Sequence, residues 1–159
     1  MGGNFVGHPA RDDLKLGNVN FTTEKAGTLY AIANWPAPLA FVGREIGSIP
    51  SGLKVGARFK DLPRKHPLRR GYELYFGGES KDRHVADPTT ILFAVRGARD
   101  YWNVESKGFM DLKPDLTFEW NYAQDKHSYL LKRKAGGTPN DREIERVIEE
   151  LLMTPRKGQ

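Results

Sequence analysis

The chain has 159 residues, of which 38% are hydrophobic and 28% charged, and its formal net charge is +5. This length suits one domain of ordinary size, and no stretch approaches the roughly 20 apolar residues that a membrane-spanning helix needs. Cysteine is absent, which excludes disulfides and thiolate metal sites and leaves oxygen and imidazole as the available metal ligands. We therefore expect a single domain over residues 1–153, a frayed tail over residues 154–159, and no membrane segment.

The first predicted elements are a helix and a short strand. Thr22 or Thr23 can act as the N-cap of a helix that extends to Asn34. Its apolar residues at helical spacing are Ala26, Leu29, Tyr30 and Ala33. The Trp-Pro-Ala-Pro segment at residues 35–38 ends the helix, because the residue before a proline is pushed out of the helical region. The apolar run at residues 39–42 then predicts a buried parallel strand.

Prolines and glycines mark two further helices. Pro67 suits the first turn of a helix that reaches Phe76 and stops at the glycines that follow. Asp87, directly before a proline, predicts the N-cap of another helix, which ends at Gly97. The apolar residues of this second helix are Ile91, Leu92 and Val95.

The last third of the chain changes from strands to a helix. Short β-prone runs separated by turn residues fill residues 101–134 and predict a small antiparallel hairpin unit. Asn140, with Glu143 three residues later, resembles a capping box and predicts a helix that ends at Thr154. Its apolar stripe consists of Ile144, Val147, Ile148, Leu151 and Leu152. The whole pattern predicts an α/β protein.

Basic residues are concentrated between positions 54 and 70. Seven lysines and arginines lie there with a single acidic residue, Asp61, among them. Such a segment can neutralise phosphates, but no nucleic-acid motif encloses it and its nearby aromatics are Phe59 and Tyr72 alone. We interpret it as a solvated surface and do not expect nucleic acid as the partner; a basic nucleic-acid-binding domain stays the last-ranked alternative.

The residue pattern alone contains no catalytic motif: no paired carboxylates at a clear spacing, no phosphate loop and no nucleophile elbow. The four histidines are scattered singly, and we interpret each as a surface or hydrogen-bonded residue. Asp87 is the carboxylate of most interest, although the N-cap role explains it without any function.

Several segments in a shared order carry a family resemblance. They are Met-Gly-Gly at residues 1–3, Gly-Asn-Val-Asn-Phe at 17–21, Asn-Trp-Pro at 34–36, Phe-Val-Gly-Arg-Glu-Ile-Gly at 41–47 and Ala-Asp-Pro-Thr at 86–89. Over residues 1–153 the chain resembles the carboxy-terminal half of the inosine-uridine preferring nucleoside hydrolases. The strand-rich region before the last helix resembles that of less typical bacterial members. The resemblance implies part of a doubly wound, mostly parallel sheet with flanking helices and a small antiparallel hairpin unit.

The resemblance also implies roles for three residues. Asp87 matches an aspartate that binds the catalytic calcium in the family. Asn20 matches the asparagine of a Glu-Phe-Asn segment that binds ribose hydroxyls, and Asn18 stands in place of its glutamate. An amide still hydrogen-bonds a hydroxyl but lacks the charge that strengthens the bond.

Two departures from the family pattern indicate that the chain lacks the residues for chemistry. Typical members have a histidine directly before the late aspartate, whereas this chain has Ala86; His84 lies two residues further back, and we do not expect it to substitute. The family's Asp-x-Asp-x-x-x-Asp-Asp segment, which supplies the other calcium ligands and the base, does not occur. We therefore assign no catalytic residue and expect no substantial activity from the chain alone.

Two functions follow from the resemblance. The first is hydrolysis of the N-glycosidic bond of ribonucleosides with calcium, which needs another polypeptide to supply the aspartates. The second is a non-catalytic remnant or binding module of the same fold. Because missing early strands would uncover a sheet edge and a helix-packing face, we expect association with a second copy or with a complementing amino-terminal half. The amino terminus has no signal-peptide pattern, so a cytoplasmic location is expected if the chain is complete.

Overall fold

The computed structural model describes residues 2–5, 11–12, 19–48, 51–135 and 138–154. The helices are α1 Val19–Thr22, α2 Lys25–Asn34, α3 Arg44–Gly47, α4 Pro67–Phe76, α5 Ala86–Arg96 and α6 Asp141–Met153, with a 3₁₀ helix at Ala57–Asp61. The strands are β1 Arg11–Asp12, β2 Leu39–Phe41, β3 Lys54–Val55, β4 Arg83–His84, β5 Trp102–Glu105, β6 Phe109–Leu112, β7 Phe118–Asn121, β8 His127–Lys132, β9 Lys134–Ala135 and β10 Thr138–Pro139. The predicted mixture of helices and strands is confirmed. Within the described residues no helix is both long and apolar enough to span a bilayer.

The central sheet has the strand order β2-β8-β5. β2 is parallel to β8, with Phe41 opposite Tyr129, which confirms that the strand predicted after the first helix is parallel. Within β2 the predicted burial holds only for Phe41, because Leu39 is half-buried and Ala40 is exposed. β5 is antiparallel to β8, with Trp102 opposite Lys132. A second sheet, β1-β7-β6, is antiparallel throughout and contains the β6–β7 hairpin. The hairpin unit is therefore smaller than predicted, because β5 and β8 belong to the central sheet.

Hydrophobic clusters cover both faces of the central sheet. Successive side chains of a strand point to opposite faces, so Tyr129 packs into one cluster and the adjacent Leu130 into the other. The cluster around Tyr129 also contains residues of α1, α2, β6 and β7, and the cluster around Leu130 contains residues of α3, α5 and α6. The sheet thus lies between one layer formed by α1, α2 and the β6–β7 hairpin and another formed by α3, α5 and α6.

Local signals set the ends of α4 and α6 as the sequence predicts. α4 begins at Pro67 and ends at Phe76, where Gly77 takes a left-handed conformation at φ 66°. α6 begins after Asn140, but the capping box does not form: the Asn140 side chain accepts no N–H of the helix, and its amide donates to the carbonyl of Asp100 at 2.9 Å. Ile144 and Ile148 of α6 are buried, each contributing roughly 1.5–3 kcal/mol through lost contact with water.

The predicted faces of α2 and α5 are wrong in part. α2 begins at Lys25 with Glu24 as its N-cap, because Val19–Thr22 forms a separate turn of helix. Its buried residue is Ile32, whereas Tyr30 is 73% exposed. In α5 the residues Ile91, Leu92 and Val95 do not share a buried face: Leu92 is buried, while the other two point to solvent.

The predicted tail after residue 154 lies outside the described residues.

Candidate functional site

A cleft of about 320 Å³ lies where α1, α2 and β2 meet. It is lined by Gly2, Asn20, Phe21, Thr28, Ala31, Ile32, Trp35, Leu39, Ala40 and Phe41. Ligand clefts begin at roughly 300 Å³ and combine mostly apolar walls with a few polar groups. This cleft has that character, and it includes Asn20, one of the two predicted ribose-binding residues.

The short helix α1 positions Asn20 at the rim of the cleft. Thr23 closes the helix by donating both its N–H and its hydroxyl to the carbonyl of Val19, at 3.0 and 2.8 Å. Phe21 is buried in the core, so the preceding residue, Asn20, faces outward. Asn20 is therefore exposed at the rim of the cleft, and its side-chain amide contains both donor and acceptor groups.

Glycine at position 2 allows the backbone there to pack closely against the ring of Phe21 in α1. Gly2 donates its N–H to the carbonyl of Val42 at 3.3 Å, which aligns this segment with the end of β2. A Cβ added at Gly2 would lie 2.6 Å from Cζ of Phe21. A larger residue would therefore push Phe21, and with it α1, away from the sheet.

Trp35 supplies an aromatic surface to the cleft. The sequence pattern predicts only the end of a helix at this residue. Its N–H donates to the carbonyl of Ala31 at 2.9 Å and closes α2, while the residue is 50% exposed. The proline that follows holds Trp35 in an extended conformation, at ψ 126°. An exposed ring beside an amide can stack on a planar ligand while the amide bonds its polar groups.

A buried carboxylate, Glu45, supports the segment that forms the cleft wall. The N–H of Phe5 donates to Oε2 of Glu45 at 3.2 Å, and the N–H of Arg44 donates to the carbonyl of Gly3 at 2.9 Å. Glu45 also adds to the rise of the Tyr129 pKa to about 12, which burial causes in the main and the nearby Tyr122 and Glu105 assist. The motif at residues 41–47 contained this glutamate, but its spacing alone gave no sign of its role.

Asp87 lies elsewhere in the fold. α5 begins at Ala86 with Val85 as its N-cap, so the predicted N-cap role of Asp87 is wrong; the carboxylate lies in the first turn, where it still faces the positive end of the helix dipole. Its side chain is exposed and does not line the cleft beside Asn20. α5 packs on the Leu130 face of the central sheet, whereas Phe21 packs on the Tyr129 face.

The described residues do not by themselves fit a calcium ion. Calcium takes about six to eight oxygen ligands, and the described part of the chain contains no group of three or more histidine, aspartate or glutamate side chains that could hold a metal. The role of Asp87 as a calcium ligand stays a prediction, and no chemical step is assigned to the ion. Asn18 lies outside the described residues, and His84 lies in β4 opposite Lys54, away from the cleft.

The predicted basic segment is divided by the fold. Arg58 pairs with Glu149 at 3.2 Å, and the backbone N–H of Lys54 donates to Glu145. Four later basic residues instead line a groove of about 980 Å³ along α4, together with two glutamates; the lining is Arg64, Lys65, Arg69, Arg70, Glu73, Leu74, Gly77, Gly78 and Glu79. Arg69 is held in place by Glu73 at 2.7 Å and by the carbonyl of Leu62 at 2.9 Å.

The two concave sites thus offer different chemistry. Among the residues that the structure describes, the ten that line the cleft beside Asn20 include no charged side chain and no histidine. The groove along α4 offers positive charge. Comparison of the chain with protein-family models, with curated proteins and with solved structures found no match.

Proposed function

We propose that this chain binds a ribonucleoside in the cleft beside Asn20 and does not hydrolyse it alone. The observation that carries the proposal is that Asn20, which the family resemblance selects as a ribose ligand, borders an apolar cleft with an exposed indole at its rim. The ribose hydroxyls bond the amide of Asn20, and the base stacks on Trp35.

The size and the polarity of the cleft support this ligand class. A volume of about 320 Å³ is at the small end of ligand sites, which suits a nucleoside better than a larger cofactor. The polar side chains in the lining are Asn20 and Thr28, and the Thr28 hydroxyl donates to the carbonyl of Glu24 at 2.8 Å. Of these two side chains, only that of Asn20 carries an amide, with both donor and acceptor groups for a hydroxyl.

The lack of turnover follows from what hydrolysis needs. Cleavage of an N-glycosidic bond through an oxocarbenium-like state requires an activated water and a proton for the leaving base. The described residues that line the cleft include no histidine and no charged side chain that could transfer a proton. Calcium-dependent hydrolysis with Asp87 as one ligand would need another polypeptide to bring the aspartate-rich segment. Because Asp87 and Asn20 lie on opposite faces of the central sheet, such an assembly would not act on a nucleoside bound beside Asn20.

The finer statement about the fold belongs to the same proposal. We propose that the central sheet corresponds to the later part of a doubly wound sheet. The parallel pairing of β2 with β8 and the packing of helices on both faces support this. The antiparallel β5 then forms the edge, which is common in sheets of this class.

Calorimetric titration with inosine and uridine tests the proposal. Asn20→Ala removes about two hydrogen bonds to hydroxyls and is expected to weaken binding about tenfold, and Trp35→Ala is expected to do the same through lost stacking. The matched control is Asn103→Ala, an exposed asparagine on β5. Binding of the free base with the same affinity as the nucleoside would contradict the proposal. An equal loss of affinity in Asn103→Ala would contradict it as well.

A base-release assay with and without calcium separates binding from turnover. The chain alone is expected to release no free base from inosine or uridine in either condition. Calcium-dependent release of free base by the chain alone would show that the proposed inactivity is wrong. It would not contradict the proposed binding site.

The groove along α4 favours a second candidate, binding of single-stranded nucleic acid. Arg64, Lys65 and Arg70 point positive charge into a groove that follows α4 for roughly 15 Å. Three phosphate contacts predict that the logarithm of affinity falls with the logarithm of salt at a slope of about −2.

Anisotropy of a labelled oligonucleotide tests this candidate. The triple variant Arg64→Gln, Lys65→Gln and Arg70→Gln is expected to abolish the salt-dependent binding. The control removes equal charge from exposed residues outside the groove, by Lys25→Gln, Arg99→Gln and Arg142→Gln together. Equal losses in both triple variants would mean that net charge alone attracts the oligonucleotide.

A further inference from the structure

Lys126, from a distant part of the chain, contacts the end of α2 from which Trp35 extends. Nζ of Lys126 donates to the carbonyl of Ala33 at 2.5 Å, across 93 positions of the sequence. The carbonyls in the last turn of a helix have no partner inside that helix, so they must be satisfied from outside it. The N–H of Trp35 satisfies the carbonyl of Ala31 at 2.9 Å. Lys126 thus adds a long-range contact to the same turn.

The positive charge of Lys126 suits this position. The carboxyl-terminal end of a helix carries a partial negative charge, and a cation close to it is favourable. The last turn of α2, all of which lies within the described residues, contains no basic residue of its own. Lys126 therefore supplies both a hydrogen-bond donor and a charge that the local sequence of α2 does not provide.

Hydrogen bonds fix the backbone of Lys126 itself. The N–H groups of Lys126 and His127 both donate to the carbonyl of Gly108, at 2.9 and 3.0 Å. The N–H of Gly108 in turn donates to Oδ1 of Asp125 at 2.9 Å. Gly108 has φ 113°, which other residues rarely adopt, and an added Cβ would lie 2.7 Å from the carbonyl oxygen of Asn121. The start of β8 is thus fixed on the segment that leads into β6, and the side chain of Lys126 connects it to α2.

We propose that Lys126 is a positioning residue for the nucleoside site, because it fixes the last turn of α2 and so holds the indole of Trp35 at the rim of the cleft. The inference rests on the proposed function, in which the base stacks on Trp35. Trp35 follows the last residue of α2 directly, and the proline after it restricts it to an extended conformation. Its ring therefore moves with the end of the helix. A ring that is already held in place loses less freedom when the ligand binds, so the affinity is higher.

Relaxation of ¹⁵N in the free chain tests whether Lys126 holds Trp35, without any nucleoside. Lys126→Met keeps an unbranched side chain but removes the donor, and the order parameter of the Trp35 backbone N–H is expected to fall from roughly 0.85 towards about 0.6. Lys126→Arg keeps the charge and the donors and is expected to retain the native value. The control is Lys25→Met, which removes the same charge at the other end of α2 and is expected to leave Trp35 unchanged. An order parameter that is unchanged in Lys126→Met overturns the proposal.

Calorimetric titration with inosine tests whether the same contact contributes to binding. Lys126→Met is expected to weaken inosine binding about threefold, because Trp35 must then be ordered as the ligand binds, and Lys126→Arg is expected to bind like the native chain. In a chain that already carries Trp35→Ala, Lys126→Met is expected to cause no further loss, because both residues act through the same ring. A loss that adds in full to that of Trp35→Ala overturns the proposal, since Lys126 would then act independently of Trp35.

The two measurements together distinguish a failure of this inference from a failure of the proposed function. A native chain that does not bind inosine contradicts the proposed function, and with it the role assigned to Lys126 in binding. A native chain that binds inosine, while Lys126→Met matches it in both the order parameter and the affinity, overturns the role of Lys126 alone and leaves the nucleoside site in place.

Discussion

Replacing Phe5 by alanine removes the aromatic residue that ties the amino-terminal segment to the core. Phe5 is 1% exposed, stacks on Tyr129 at 4.5 Å between ring centroids, and contacts Phe118 at 5.2 Å and Trp120 at 6.1 Å. Truncating a fully buried phenylalanine costs about 3–5 kcal/mol through lost burial and the cavity left behind. For a chain of this size the midpoint of thermal unfolding is then expected to fall by roughly 6–20 °C.

The same substitution should loosen the cleft, because Phe5 anchors the segment that contains Gly2. Circular dichroism during heating measures the stability, and titration with inosine well below the melting temperature measures the cleft. Tyr30→Ala is the control, since Tyr30 is 73% exposed and its loss should cost less than about 0.5 kcal/mol. Equal melting temperatures of the two variants would refute the packing of residues 2–5 into the core.

Two further predictions concern acid sensitivity and affinity. His127 is buried, its Nδ1 accepts the N–H of Met110 at 3.1 Å, and burial, assisted by Lys126, lowers its pKa below the ordinary value. Because the folded state disfavours the imidazolium, the contribution of His127 to stability is present above about pH 6.5 and is lost as the pH falls below it. His127→Asn keeps a hydrogen-bond acceptor that does not titrate, so the denaturant midpoint of this variant should depend less on pH between about 5 and 7. A pH profile equal to that of the native chain would contradict the prediction. The family resemblance implies that Asn18 binds a ribose hydroxyl, and on that role Asn18→Glu should tighten inosine binding several-fold in calorimetry with no gain for the free base. The reason is that charged partners contribute roughly 1.5–3 kcal/mol to a hydrogen bond, against about 1 kcal/mol for neutral ones. Equal gains for inosine and for the free base would contradict the role of Asn18 at the sugar.

The elements that the sequence predicts well are those whose ends depend on neighbouring residues. Pro67 and Gly77 delimit α4 through their own backbone preferences, so no distant contact is needed to place its ends. Strand partners are different, because the pairing of β5 with β8 joins residues more than 20 positions apart. Periodicity identifies such strands but does not say which sheet they enter.

The faces of α2 and α5 show a second limit. Apolar residues at helical spacing predict that some face is covered, yet the fold covers Ile32 and Leu92 and leaves Tyr30 and Val95 exposed. Which side of a short helix is buried depends on where the sheet lies, and that is a property of the whole chain.

The candidate site was accessible from sequence only through the family resemblance. The resemblance selects Asn20, which borders a cleft, whereas the sequence pattern predicts only a helix end at Trp35 and no role for Glu45. The exposure of Trp35 and the burial of Glu45 depend on the whole fold. No local pattern distinguishes an exposed tryptophan from a buried one, or a buried glutamate from an exposed one. Asp87 was noted for its position before a proline, which does not determine what surrounds the carboxylate.

Nuclear magnetic resonance of the ¹⁵N-labelled chain during titration with inosine tests the central claim most directly. The chain has three tryptophans, and Trp102 and Trp120 are 2% and 3% exposed, so their indole signals are internal references. We predict that the indole signal of Trp35 and the side-chain amide signal of Asn20 move together with increasing inosine while both references stay fixed. Saturating inosine that leaves these two signals in place, or that moves only residues along α4, would contradict the account.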